Sequence, residues 1–302
     1  MSDVNHDPSS QEHFGKGVLF MLLGSALFAV ADALGKFTTQ GFPLFQVVWL
    51  RSVFGLMLVA LVIASRRRWE DFRTNNIRAH IKRSIAGIFM SGFMLTGLKY
   101  IPLAEVTAVA FATPMIVAVY SAIALKEHVG RDIFAAILLG LCGVILVVRP
   151  TPDHFHFGHL AMLGFALSSA YLSITARALA KTESALTLNL SIYPAGVIVF
   201  AGLAIKDWVM PDPVSLAALF GVALFATLAL LSITRAVHLT TPAKVTPFDY
   251  SRILWSVSLG FVFWDELPDA ITWTGIGIII CCGLYIMRHG RRQTARAGQK
   301  AG

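Results

Sequence analysis

Charge is what this chain has least of. Only 14% of its 302 residues are Asp, Glu, Lys or Arg, against roughly 25% in soluble domains. The shortfall is uneven. Charges gather in short clusters, and between them lie apolar runs of about 20 residues, the length that crosses a hydrocarbon core of roughly 30 Å as a helix. A water-soluble core cannot hide so many such runs. Strand-like alternation is missing from them too, which favours helices, whose backbone groups are satisfied within the segment. Cysteine is scarce. Cys142, Cys281 and Cys282 all fall within apolar runs and form no CxxC spacing, so they read as small packing residues. No GxxxxGK(S/T) motif is present, which argues against an ATP-driven pump. No HExxH or GxSxG motif is present either. The chain is therefore not expected to be an enzyme or to hold a cofactor or a metal. No basic stripe with interleaved aromatics occurs, so the net charge of +8 does not read as nucleic-acid binding.

What is present is a series of ten apolar segments: 18–37, 44–64, 84–99, 103–125 and 132–149, then 158–179, 185–205, 214–237, 243–264 and 270–288. Turn and charge signals separate them, among them Gly41-Phe42-Pro43, Arg66-Arg67-Arg68, Pro102, Pro150-Thr151-Pro152, Pro211-Asp212-Pro213 and Pro268-Asp269. Residues 1–15 read as a polar, disordered cytoplasmic tail and 290–302 as a basic cytoplasmic tail. The first run is too long for a signal-peptide core and is led by a single Lys16, so it reads as a retained span. With the N-terminus in the cytoplasm, nineteen Lys and Arg fall on the cytoplasmic side and four outside, leaving Arg51 and Arg252 within spans. Such a split is a strong positive-inside signal. It places a multi-pass protein in a bacterial inner membrane with both termini cytoplasmic. Arg-rich residues 66–83 contact anionic lipid or simply set this orientation.

The fourth and ninth segments are similar. Ala104-Glu105-Val106-Thr107 answers Ala243-Lys244-Val245-Thr246, and Leu125-Lys126-Glu127 answers Trp264-Asp265-Glu266, both at an offset of 139 that also pairs Cys142 with Cys281 and Arg149 with Arg288. That offset is five spans plus loops. An odd number of spans inverts the second copy, an architecture that recurs in secondary transporters with the substrate near the midplane.

The stretches "LKYIPLAEVTAVAFATPMIVAVYSAIALKE" and "AKVTPFDYSRILWSVSLGFVFWDE", with the arginine of "QVVWLRSVFGLMLVAL", resemble the EamA domains of the drug/metabolite transporter superfamily. The resemblance covers roughly residues 16–289 and implies two repeats, 16–149 and 150–289. It further implies ten helices and gradient-driven movement of small metabolites. "TPFDYSRILW" resembles bacterial S-adenosylmethionine and riboflavin transporters. The implied cargo is a vitamin or cofactor-like aromatic metabolite or an amino-acid derivative. An amino-acid or drug exporter of the same family is the alternative. Outside transport stand an integral-membrane enzyme on a lipid-linked substrate and a non-transporting receptor. Expected partners are the small-molecule cargo and membrane lipids.

Ionisable residues inside spans are costly and usually functional. Asp32 and Arg51 lie at matching depth, which predicts an ion pair that either locks two helices or responds to substrate or protons. Asp249 and Arg252, at i and i+3, either form a substrate site with Tyr250 and Trp255 or neutralise one another. Pro247 and Thr113-Pro114 predict backbone breaks, with Tyr120 two turns beyond the latter. Trp49, Tyr171, Tyr193, Phe248, Tyr250 and Trp255 are candidates for stacking on a planar cargo. Asp32, Glu105 and Asp249 are the candidate proton carriers, though Glu105 reads equally as a solvated span end. His154, His156 and His159 form a cluster that a solvated loop explains better than a metal.

Overall fold

The computed structural model describes residues 8–74, 76–124, 131–149, 151, 154–180, 182–240 and 242–300, with side chains between Phe14 and Ile286 apart from 121–124, 131, 242 and 243. Leu125, Lys126, Glu127, Pro150 and Pro152, all invoked above, lie outside the described residues. So do residues 1–7 and the side chains of the basic tail.

Helix, interrupted at short turns, makes up most of the described part of every apolar segment. In chain order the helices are α1 (Pro8–Gly41), α2 (Leu44–Ser65), α3 (Ile77–Tyr100), α4 (Leu103–Ala110), α5 (Thr113–Ala124), α6 (Arg131–Val148) and α7 (Phe157–Leu179). They continue as α8 (Ala185–Leu190), α9 (Pro194–Lys206), α10 (Pro213–Leu239), α11 (Pro242–Val245), α12 (Ser251–Trp264) and α13 (Ala270–Lys300). No strand occurs among the described residues. Among the described residues six stretches are long and apolar enough to cross a membrane, 14–41, 44–65, 103–120, 157–179, 185–206 and 213–239, and 132–148 and 270–286 are shorter apolar helices. α1 and α13 extend into the polar stretches expected to be tails, reaching back to Pro8 and on to Lys300.

Helix starts are capped where side chains allow. Asn76, Ser184 and Asp212 each accept a backbone N–H from the first turn of α3, α8 and α10, satisfying donors that helix geometry leaves open. The hydrogen bonds from Ser215 hold the Asp212 carboxyl below its ordinary value.

Three apolar stretches are interrupted rather than continuous. α4 gives way to α5 through a turn at Phe111–Ala112, before Pro114. α8 gives way to α9 at Ser191–Tyr193, with Pro194 opening the new helix. α11 passes into α12 through a 3-10 turn, Thr246–Tyr250, that contains Pro247. Proline lacks the N–H that would continue the hydrogen-bond ladder, so each break follows from the sequence.

Glycines bring backbones together, which is how apolar helices associate when lipid is as apolar as leucine. Gly24 of α1 lies against the Ala229 carbonyl of α10, and Gly143 of α6 and Gly275 of α13 face one another so closely that a methyl group on either would meet the other's carbonyl at 3.0 Å or less. Large side chains such as Leu61, Leu167, Ile198 and Val262 are at least 60% exposed, a surface suited to acyl chains.

Candidate functional site

The three helix breaks meet near one buried polar cluster. Asp32 of α1 forms an ion pair with Arg252 of α12, and neither side chain is more than 15% exposed. The Arg252 guanidinium also lies over the Phe28 ring, 4.8 Å from its centroid. One helical turn below that ring, Ser25 donates to Asp249 at 2.8 Å. Arg51 of α2 stands beside this pair and beside Tyr193, whose ring rests on Gly55 at the break between α8 and α9. Tyr250, at the end of the 3-10 turn, packs on Phe111 of the α4–α5 break with ring centroids 4.6 Å apart. Its hydroxyl is buried without a hydrogen bond and crowds Gly283.

Two expectations need correction. Asp32 pairs with Arg252, not Arg51. Matching depth does not fix which way a side chain points, and α1 packs mainly on α10 and α12 and little on α2. Asp249 does not neutralise Arg252 either. The 3-10 turn interrupts the helix between them, and their partners Ser25 and Asp32 lie seven residues apart on α1, about 10 Å along the axis.

The structure thus gathers Asp32, Arg51, Arg252, Tyr193 and Asp249, with Tyr250 nearby. It sets the other expected residues apart. Trp49 donates its ring N–H to the Val197 carbonyl at 3.0 Å and meets Trp208 edge-on. Tyr171 stands on α7 beside Arg83. Tyr120 and Trp255 are 41% and 46% exposed. Glu105 bonds the ring of His159 at 2.9 Å, and the other ring nitrogen of His159 accepts the His156 backbone N–H. Glu105 and His159 are therefore a helix-start pair rather than a solvated carboxylate and a loop histidine. Among the described residues no group of three His, Cys, Asp or Glu is arranged to hold a metal.

Several polar residues were missed by sequence reasoning. Lys36 is 3% exposed. It donates to the Ile101 carbonyl and to Glu266, whose second oxygen accepts the Leu103 N–H at the start of α4. A carboxylate is favoured there because the first-turn N–H groups lack partners. Arg149 pairs with Asp269 and Thr272 nearby. Arg83, 2% exposed, donates to Ser191, Thr175 and the carbonyls of Leu172 and Leu188. The signal available for Lys36 was its place one turn beyond Asp32 on an apolar helix.

Two cavities flank the cluster. One of about 440 Å³ lies at the Lys36 end, lined by Glu105, His159, Arg149, Glu266 and Asp269 among others. The other, about 320 Å³, lies at the opposite end between α2, α8 and α10, with Arg66, Arg235 and His238 at its edge.

The profile of the EamA-like transporter family matches residues 15–149 and 156–288. The chain belongs to this family. EamA relatives of named function cover nearly its whole length. It is 24% identical to the riboflavin transporter of Vibrio cholerae over 95% of this chain and 98% of that one. It is 25% identical to the pseudopaline exporter CntI of Pseudomonas aeruginosa, over 88% and 94%. The S-adenosylmethionine uptake transporter of Rickettsia prowazekii is 23% identical, over 90% and 92%. A crystal structure with 19% identity superposes with a TM-score of 0.63 over 92% of this chain and 99% of the other, which shows that this EamA chain shares its fold.

Proposed function

We propose that this EamA protein is a secondary transporter that moves a small organic metabolite across the bacterial inner membrane by alternating access. The carrying observation is the convergence of three helix breaks on the Asp32–Arg252 pair. Discontinuous helices expose backbone groups that line substrate sites in transporters, and non-helical backbone at that depth is tolerated only where it is buried in protein or lines a water-filled cavity. The reading takes ten crossings with cytoplasmic termini, so the Arg66 end faces the cytoplasm.

The pattern of helix packing supports two inverted repeats. α1 packs on α10 as α3 packs on α7, and α2 meets α9, α4 meets α12 and α6 meets α13. These are the pairings that exchanging the first five crossings for the second five would preserve. In this conformation the Lys36 end is bridged by bonds between the halves, whereas the Arg66 end holds a cavity that reaches toward the centre. The state is inward-facing.

Arg252, Asp249, Tyr250, Arg51 and Tyr193 then contact cargo. Asp32 is the proton-coupling carboxylate, because protonation would release Arg252. Glu105, held by His159, belongs to the outer gate. Cargo of the class carried by the named relatives, a flavin-like vitamin or an amino-acid derivative, fits a site with aromatic rings and charges of both signs.

Uptake of labelled riboflavin and S-adenosylmethionine into proteoliposomes, with and without a proton gradient, tests the reading. Flux is expected in the wild-type protein, with a loss of at least tenfold in Arg252→Ala and loss of gradient dependence in Asp32→Asn. Equal flux in wild-type and Arg252→Ala liposomes would overturn the site assignment, and no flux of any tested metabolite would overturn the transport reading for that cargo class.

A further inference from the structure

The charges around Arg51 do not balance. The ionised groups acting on it are Asp32 and Arg252, and these two already neutralise one another. Arg51 has no carboxylate within ion-pair distance among the described residues, and its Nη1 is buried with no hydrogen-bond partner. A guanidinium held inside a bilayer without an anion is costly. Arg83, a buried arginine that also lacks a carboxylate, is instead satisfied by four neutral acceptors. Arg51 stands out by having none.

The cavity at the Arg66 end begins at Val59, about two turns of α2 from Arg51. Its walls are mainly apolar, with Val59, Val62, Leu186, Leu230 and Leu231, joined by the neutral polar Asn189, Thr227 and Thr234. Tyr193 packs on this same apolar group and, through Gly55, lies one turn of α2 from Arg51. At the edge stand Arg66, Arg235 and His238, and no Asp or Glu lines the cavity. Arg68, also at the edge, is matched by Asp71. Arg66 and Arg235 lack a carboxylate partner among the described residues. Orientation alone accounts for basic residues at a cytoplasmic edge, but it does not account for Arg51.

We infer that this cavity is the cytoplasmic entry to an anion site, and that the cargo is a small organic anion, a carboxylate or phosphate on an apolar body, whose charge comes to rest on Arg51. The inference rests on the transporter reading and narrows its substrate class. A planar guanidinium fork suits carboxylate and phosphate equally, and Tyr193 supplies a ring for the apolar body. Arg66 and Arg235 would draw the anion in, and the Leu and Val walls would take its hydrophobic part.

The test uses the full chain in neutral phosphatidylcholine nanodiscs and charge-matched probe pairs: flavin mononucleotide against riboflavin, and indole-3-propionate against its amide. Binding is read from the rise in Tm, which grows with ligand concentration over Kd. The anionic member of at least one pair is expected to bind at least tenfold more tightly than its neutral partner. Arg51→Gln should remove that difference, and Arg51→Lys should restore part of it. Should Arg51→Gln fail to fold, Arg235→Gln, at the exposed edge, should weaken anion binding about threefold and steepen its fall with salt less. A preference for neutral members, an anion preference that survives both variants, or binding of no probe at millimolar concentration would overturn the inference. Phosphatidylglycerol added to the discs separates the sources: stabilisation by that lipid, with no effect of the soluble anions, overturns the cargo assignment in favour of a lipid headgroup. Flux distinguishes the two readings. Transport of a neutral cargo that ignores Arg51→Gln sinks the anion site and keeps the transporter, whereas anions that bind at Arg51 without crossing sink the transporter and keep the site.

Discussion

The two cavities differ in how they treat charge. At the Lys36 end three bases are each matched by an acid: Lys36 with Glu266, His159 with Glu105, Arg149 with Asp269, and His154 and His156 stand beside them in the lining. At the other end Arg66, Arg235 and His238 share an apolar cavity with no carboxylate in its lining. Paired charges join elements far apart in sequence; the Lys36–Glu266 bond spans 230 residues. Unpaired ones join nothing and stay available to a ligand. On the proposed transport reading one end serves as a closure and the other as an entrance, and the distinction lies in which residues have been matched, not in how many charges each end carries.

The comparison can be broken most sharply at Lys36. Lys36→Met leaves the Glu266 carboxylate facing the α4 N-terminus without its cation. Removing one partner of a buried pair costs about 3 kcal/mol or more, so Tm in detergent should fall by several degrees. Lys36→Met combined with Glu266→Gln should recover most of the loss, because the pair, not the lysine stem, is what the closure uses. A smaller effect is expected at Glu105→Gln, which keeps a hydrogen bond to His159 and removes a charge. About 1 kcal/mol is lost, and cysteine-labelling reagents should reach a reporter introduced at Ala104 faster than in the wild-type protein.

Asp269 gives a pH test with a defined sign. Hydrogen bonds from Arg149, with the Thr272 N–H, hold its carboxyl well below the usual range. A depressed carboxylate contributes stability that is present above its ordinary pKa of about 3.9 and is lost as pH falls through the lowered value. The wild-type advantage over Asp269→Asn should therefore be flat from neutral pH down to about 5, and shrink only in stronger acid. The carboxylate is 51% exposed, so the difference should stay below about 1 kcal/mol. The smallest change belongs to the other cavity. Arg235→Gln should shift stability by less than about 0.5 kcal/mol, since no partner is lost. A larger drop would reveal an unrecognised bond and erase the contrast between the ends.

Much of this was legible before any coordinates. Lipid demands uninterrupted apolar length, so the helical segments announce themselves, and Pro114 and Pro247 mark two of the three breaks. Pro194 carried the same signal, but its neighbour Tyr193 was read as a ring for stacking on cargo and not as the edge of a helix break. Partners were harder to foresee. Asp32 and Arg51 share a depth, yet pairing depends on rotation about the helix axis and on which neighbour is closest, and neither is written in a single segment. Lys36 and Arg83 do not stand out among the basic residues tallied by side, and long basic side chains near helix ends usually reach for water. The structure buries both, since carbonyls and carboxylates from distant elements wait for them.

Arg83 carries a consequence for how the protein is made. Its acceptor Ser191 follows it by 108 residues. At roughly 5–20 residues per second, synthesis takes about 5–20 s to supply that acceptor and the neighbouring Leu188 carbonyl. Until its first acceptors arrive, the Leu172 carbonyl and Thr175, 89 and 92 residues further on, the guanidinium has only water and headgroups to bond, so α3 is expected to stay short of its final depth when it first emerges. The seating of a helix from the first half is deferred until the second half has arrived, and a single residue sets the order of assembly.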